Sequence, residues 1–409
     1  MSQTAYDVAA VRADFPILDS QVRGKPLVFL DTAASAQKPQ VVIDTISEFY
    51  EAHYANIHRG VYRLSAEATQ RYEGARDTVQ KFIGAADRRE IVFVRNATEA
   101  INLVAHTWAE QNLEAGDEIL ITALEHHANI VPWQMLGQRK GVQLRVAPIN
   151  AQGEVILEEF EKLISDRTRL VALTQVSNAL GTILPLEQMI PMAHARGAKV
   201  LVDGAQAIPH MPVDVTQMDA DFYVFSGHKL LGPSGIGVLY GKHALLESMP
   251  PFLGGGDMIE SVSFEKSTYA PPPARFEAGT PDIAGAVGLA AAMDYLQGIG
   301  VERVAQWEHQ LLEQATAKLA EIDGLRMIGT ASEKSAVVSF VLDGIHAHDV
   351  GTALDQAGVA VRVGHHCAQP VMEIFGVPAT VRASFALYNT PDEIDRLTEA
   401  LRETVEIFR

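Results

Sequence analysis

The sequence predicts an α/β protein with a mostly parallel central sheet in a large domain and a smaller α+β domain after it. Three observations predict this. Short apolar, β-branched runs recur from about residue 27 to residue 240, helical patterns lie between several of them, and the texture changes after about residue 295. Strands that alternate with helices pair in parallel, because each crossover lays a helix over one face of the sheet.

The runs expected as strands are 27–30, 91–94, 119–121, 170–173, 200–202, 222–225 and 236–240. They are close to continuously apolar, as strands covered on both faces are. Helical patterns span 99–110 and 186–196, the second stopped by Gly197, a residue suited to the left-handed turn after a helix. Two Gly/Pro-rich stretches follow, 253–257 and 269–274. Beyond an Ala- and Leu-rich helix, residues 337–342, 359–363 and 381–387 look like strands of the smaller unit, closed by a helix over 392–408. The expected division is an N-terminal arm (1–26), a large domain (27–295) and a small domain (296–409).

Composition narrows the function classes. With 409 residues, 47% hydrophobic and 21% charged, the chain is an ordinary globular one, which excludes disordered and fibrous classes. Its 33 Lys plus Arg against 51 Asp plus Glu give a net charge of −18, which repels phosphate backbones and anionic membranes but permits a local basic pocket. The single cysteine, Cys367, forms no intrachain disulfide. No apolar leader is visible at the N-terminus, and the longest apolar window, 284–293, is short for a membrane span. The expectation is a cytoplasmic protein that binds neither nucleic acid nor membrane.

Ligands of α/β sheets sit beyond the carboxyl ends of strands. Three such segments carry polar residues: Asp203, Gly204 and Gln206 in KVLVDGAQ, Ser226, His228 and Lys229 in FSGHKLLG, and Asn96, Ala97 and Thr98 in RNATEAIN. Taken singly, a loop lysine is a solvated charge, an Asp after a strand caps a turn, and NATEA starts a helix. Together they supply what pyridoxal phosphate needs: an amine for its aldehyde, an acid for its ring nitrogen, and hydroxyls with a helix N-terminus for its phosphate.

Histidine and cysteine supply a rival. His126-His127 and His365-His366-Cys367 combine good zinc ligands, or a Cys–His pair of a thiol hydrolase. Against zinc, adjacent side chains diverge, and neither HExxH nor paired CxxC occurs. Arg382 lies in an apolar strand pattern, where a charge has a partner or a ligand, and its planar fork suits a carboxylate. Arg59 and Arg362 are weaker candidates of the same kind.

LDTAASAQKP, IHRGVYRLS, EHHANIVPWQ, VSNALGT, VLVDGAQA, SGHKLLGPSG, RFEAGTPD, RVGHHCAQP and RASFALYNT, in this order, resemble the SufS-type cysteine desulfurases. These are fold-type-I pyridoxal-phosphate enzymes of class V aminotransferase ancestry, and the resemblance spans almost the whole chain. It implies that Lys229 is the Schiff-base lysine, Asp203 the pyridinium partner and Gln206 the residue bonding the phenolic oxygen. His126 would stack on the ring and move protons. Thr98, Ser226 and His228 would hold the phosphate with Ala97 beside them, and Thr280 would reach it from the opposite subunit of a homodimer. Asn178 and Arg382 would hold the substrate carboxylate, with Arg362 and His58 also at the substrate, and Cys367 would take the sulfur as a persulfide. L-cysteine is the implied substrate, alanine the product, selenocysteine a companion substrate, and a small SufE- or SufU-type protein the sulfur acceptor for iron–sulfur cluster assembly. Three positions depart from the family pattern: Ala97 removes a hydroxyl, Leu231 stands where Tyr is common, and Asp282 where Asn is common.

Overall fold

The computed structural model describes residues 6–408. Its central sheet has seven strands: β1 (Ile91–Val94), β2 (Glu118–Thr122), β3 (Gln143–Ala147), β4 (Thr168–Thr174), β5 (Lys199–Asp203), β6 (Phe222–Ser226) and β7 (Gly237–Gly241). They lie in the order β1-β7-β6-β5-β4-β2-β3. β2 to β6 are parallel, whereas β7 runs antiparallel to both its neighbours. Alternation along a strand explains why both faces are covered. Ile91 and Phe93 of β1 enter one core layer, while Val92 and Val94 enter the layer on the other side.

A second, antiparallel sheet is built from β8 (Leu325–Ile328), β9 (Val337–Leu342), β10 (Arg362–Gly364) and β11 (Thr380–Ser384), ordered β8-β9-β11-β10. Val338 and Phe340 of β9 share a third core with Leu397 and Leu401 of the C-terminal helix Pro391–Phe408.

Two expected strands pair differently from the sequence reading. Residues 27–30 stay out of the central sheet: Val28–Phe29 pairs in parallel with Val359–Ala360, and Leu30 is buried in the third core. The expected strand 359–363 is therefore split, its first part on this pair and its second part, β10, in the small sheet. β3 was not expected. It is an edge strand whose Gln143 and Arg145 face solvent, so it lacks the apolar run of its neighbours.

The helix Leu186–Ala195 is followed by Gly197 in the left-handed region (φ 77°). Helices Ile283–Ile299 and Val301–Ala320 meet at Gly300 (φ 97°) with a 75° bend, and no single helix among the described residues is long and apolar enough to cross a membrane. The described part of the N-terminal arm packs on the C-terminal part of the chain: Tyr6 stacks on Trp307 and donates to the Leu387 carbonyl, and Arg12 pairs with Glu393 at 3.0 Å.

Candidate active site

The carboxyl ends of β1, β2, β4, β5 and β6 converge on one cavity of about 370 Å³, closed from the other side by β10, β11 and the loop carrying Cys367. Ala97, Thr98, His126, Asn178, Asp203, Gln206, Ser226, His228, Lys229, Arg362, Cys367 and Arg382 all line it. Of the expected site residues, His58 and Thr280 do not.

Lys229 leaves the sheet in a single 3-10 turn after β6. Burial lowers its ammonium to about 8, against the pull of Asp203 and with help from the Arg382 charge. Asp203 ends β5. Burial pushes its carboxyl up, opposed by the Ala205 N–H that it accepts at 3.0 Å and by Lys229. The next residue must be glycine, since a Cβ on Gly204 would stand 1.9 Å from the Tyr223 hydroxyl. Gln206 is held by its amide, which donates to the Ala33 carbonyl at 2.6 Å.

At the end of β1, the Asn96 side chain caps the helix Ala97–Val104 by accepting from Glu99 N–H. The Ala97 N–H donates to Ser226 Oγ at 2.9 Å, which ties this helix start to the end of β6. Thr98 thus stands at the positive end of a helix dipole facing the cavity, a setting that favours an anion. His126 uses Nδ1 to accept from Ala128 N–H at 3.0 Å, so the neutral ring carries its proton on Nε2. Burial, with Lys229, lowers that imidazole to about 4, and burial with Lys229 and Lys38 does the same to His228.

Arg382 and Arg362 face each other across β11 and β10, with Asp31 between them. Arg362 donates to Asp31 at 2.6 Å and Arg382 at 3.4 Å, while Arg382 also donates to the Asn178 carbonyl at 2.8 Å. Two guanidiniums share one carboxylate, which leaves one positive charge over. Burial lowers Arg382 to about 10, and its Nε–H has no protein partner, so the cavity offers a charged donor to one further carboxylate. The buried Oδ1 of Asn178 is also unpartnered and, as an acceptor, suits a donor such as an ammonium group. Across from it, Cys367 is exposed. His366 and Cys367 both hold left-handed backbone (φ 54° and 53°), which costs a residue with a Cβ about 1–2 kcal/mol each.

The profile of the class-V aminotransferases matches residues 28–397. The chain belongs to the class-V aminotransferase family. Among its curated relatives, a probable cysteine desulfurase of Mycolicibacterium paratuberculosis is 57% identical over 98% of this chain and 58% of its own length. A cysteine desulfurase of Enterobacter sp. is 54% identical over 97% of this chain and 98% of its own length. The cysteine desulfurase CsdA of Escherichia coli, solved in an S-sulfonic acid form, superposes with a TM-score of 0.92 at 41% identity, covering 99% of this chain and 100% of that one. The chain spans 58–66% of the length of three of its curated relatives.

Pyridoxal phosphate, the cofactor of the class-V resemblance, fits these residues. The lowered Lys229 amine suits its aldehyde. The buried Asp203 carboxyl, bonded to one backbone N–H, suits the ring nitrogen, and the Ala97–Thr98 helix start with Ser226 suits its phosphate. His58 instead pairs with Glu73 at 3.0 Å in a separate depression, and Thr280 lines another beside Glu277 and Pro281. The zinc alternative is not assembled: among the described residues, no group of three or more His, Cys, Asp or Glu side chains is placed to hold a metal ion. His126 and His127 each spend a ring nitrogen on a backbone N–H.

Sequence reasoning missed Asp31, Lys38 and Glu125. Asp31 directly follows the 27–30 run, the same strand-end signal that singled out Asp203. Lys38 donates to the carbonyl of His228 at 2.9 Å, one residue before Lys229, and burial lowers it to about 8. Glu125 is fully buried beside His126, accepting from Thr122 and Asn129.

Proposed function

We propose that this protein is a pyridoxal-phosphate-dependent cysteine desulfurase of the SufS type. The observation that carries the reading is the meeting, around one cavity, of the Lys229 amine, the Asp203 carboxyl, the surplus positive charge of Arg382 and the exposed Cys367 thiol. Bound through Lys229, the cofactor would supply an electron sink that labilises the Cα proton and the Cβ–S bond of L-cysteine.

The chain's own residues do the rest. Arg382 and Asn178 grip the substrate carboxylate, with Arg362 held ready by Asp31. Asp203 would keep the ring nitrogen protonated, Gln206 would bond the phenolic oxygen, and His126 would lie against the ring. Thr98, Ser226 and His228 would hold the phosphate beside Ala97. Lys229 Nζ, once free, takes the Cα proton as general base. Cys367 attacks the substrate sulfur as a thiolate. The substrate's Cβ–S bond breaks, a new S–S bond forms on Cys367, and Cβ gains a proton, so that cysteine plus thiol becomes alanine plus persulfide. His126, whose Nε2 carries the ring proton, would serve to pass a proton to or from the sulfur.

The protein acts in this reading as a cytoplasmic homodimer. Residues 27–295 hold the cofactor and residues 296–409 bring Cys367 to it. Thr280 and His58, which lie off the cavity, would complete the neighbouring subunit's site. The persulfide passes to a small SufE- or SufU-type acceptor for iron–sulfur cluster assembly, and selenocysteine is a companion substrate because selenolate leaves more readily.

The test is to incubate the holoenzyme with L-cysteine and a reducing thiol while following alanine, sulfide and the visible absorption. Alanine and sulfide should appear one for one. Cys367→Ser should keep the visible band and lose persulfide, and Lys229→Ala should lose turnover. A protein that gains no visible band with pyridoxal phosphate, or whose Cys367→Ser variant desulfurates cysteine at the full rate, overturns the reading.

A further inference from the structure

Two histidines without a role so far touch the Cys367 loop through ring nitrogens that act as acceptors. Gln369 N–H donates to His127 Nε2 at 3.1 Å, and Cys367 N–H donates to His365 Nδ1 at 3.2 Å. Because both donors are backbone amides, the direction is fixed and each accepting nitrogen must be bare. The two rings stand 5.6 Å apart at 37°. Two further bonds complete the grip and do not involve imidazole nitrogens: His127 N–H donates to the Cys367 carbonyl at 2.7 Å, and Asn178 Nδ2 to that of His366 at 2.6 Å. Three of the four fall on the consecutive left-handed residues His366 and Cys367 and the fourth on Gln369 just beyond them, and such a conformation persists only when its surroundings over-determine it.

We propose that His127 and His365, as neutral imidazoles, are positioning residues that clamp the backbone of Cys367, and that protonating them releases it. The charges around His127 favour the clamped state. His127 faces His365 and its neighbour His126, whose ring is in turn faced by Lys229 and Arg382. His366, next to His365, is faced by Arg382 and Arg362. Asp31 is engaged with those arginines, and Glu125, bonded by Thr122 and Asn129, is a buried carboxyl pushed up to about 7, so it loses rather than gains charge toward acid. Burial and His365 hold the His127 imidazole below its ordinary value. The bond to His127 is therefore complete above the ordinary imidazole range and is lost as pH falls through and below it.

For turnover the inference rests on Cys367 being the sulfur-accepting thiol; for the clamp itself it does not. The experiment is amide hydrogen exchange of the holoenzyme over residues 364–370, between about pH 8 and pH 5, expressed as protection relative to intrinsic exchange. His127→Gln places a carbonyl oxygen near Nε2, and His365→Asn places one near Nδ1. Either accepts its backbone N–H at every pH, and each serves if the other fails to fold. Protection in the wild type should fall several-fold toward acid, and the fall should be smaller in either variant. The ratio of variant to wild-type turnover should also rise toward acid. An equal fall in wild type and variants, or none in the wild type, overturns the clamp. A fall that the variants suppress while the turnover ratio stays flat overturns its part in catalysis.

Discussion

At the scale of single residues, environment rather than type decides what each group does. Lys229, Lys38, His126 and His228 are all basic side chains that burial drives toward neutrality, helped at the two histidines by the Lys229 charge. Arg382 keeps its charge and is the group left to meet an anion. Arg382→Ala should therefore raise KM for L-cysteine roughly thirtyfold, the equivalent of a charge-assisted bond of about 2 kcal/mol, with a smaller effect on kcat. Steady-state kinetics at several cysteine concentrations separate the two. Glu125 shows the opposite shift, its carboxyl pushed up to about 7 by burial despite bonds from Thr122 and Asn129. A raised carboxyl binds its proton in the folded state where the unfolded chain has released it. Its stabilising contribution is therefore whole below about pH 4.5 and is lost as pH rises through 7. Glu125→Gln should stabilise the protein by about 1–3 kcal/mol at pH 8 and leave it unchanged near pH 4 in urea unfolding.

At the scale of elements, the site depends on strand ends that deliver side chains at fixed positions. The turn after β5 passes so close to Tyr223 that Gly204 has no room for a methyl group, and Tyr223 is itself bonded to Gln175 at 2.8 Å. Gly204→Ala should cost about 1–3 kcal/mol and displace Asp203 and Gln206, read as a lower unfolding midpoint together with weaker retention of pyridoxal phosphate. Strand-end logic also explains what the sequence reveals. Asp203, Ser226 and Lys229 were legible because each follows an apolar run, and the same logic fits Asp31, whose partners lie in β10 and β11. β3 was illegible because an edge strand with a solvated face carries no continuous apolar run. Residues 27–30 were read as apolar, correctly, yet apolarity reports burial and not the partner. The Cys367 clamp had no local signal, because His127 and Gln369 are 242 residues apart.

At the scale of the molecule, a few buried polar links join the layers. His210, just beyond the Asp203–Gln206 turn, bonds Glu308 of helix Val301–Ala320 at 2.8 Å, and both are buried. Removing the imidazole leaves the buried Glu308 carboxyl without that partner, so His210→Ala should destabilise the fold by about 1–3 kcal/mol, with the loss visible in thermal and urea unfolding. The segment from Asp31 to Lys38 makes a second link. It touches Arg362 and Arg382 at one end, Gln206 through the Ala33 carbonyl, and the His228 carbonyl through Ala36 N–H and Lys38. That segment has a consequence in time. Asp31 and Arg382 are 351 residues apart, so a ribosome moving at 5–20 residues per second delivers the second roughly 20–70 s after the first. For much of that interval Lys229 already exists, on a nascent chain that lacks the arginine proposed to hold a substrate. Synthesis thus builds the amine first and the proposed grip last, and on that reading the cavity stays incomplete until its final strand comes home.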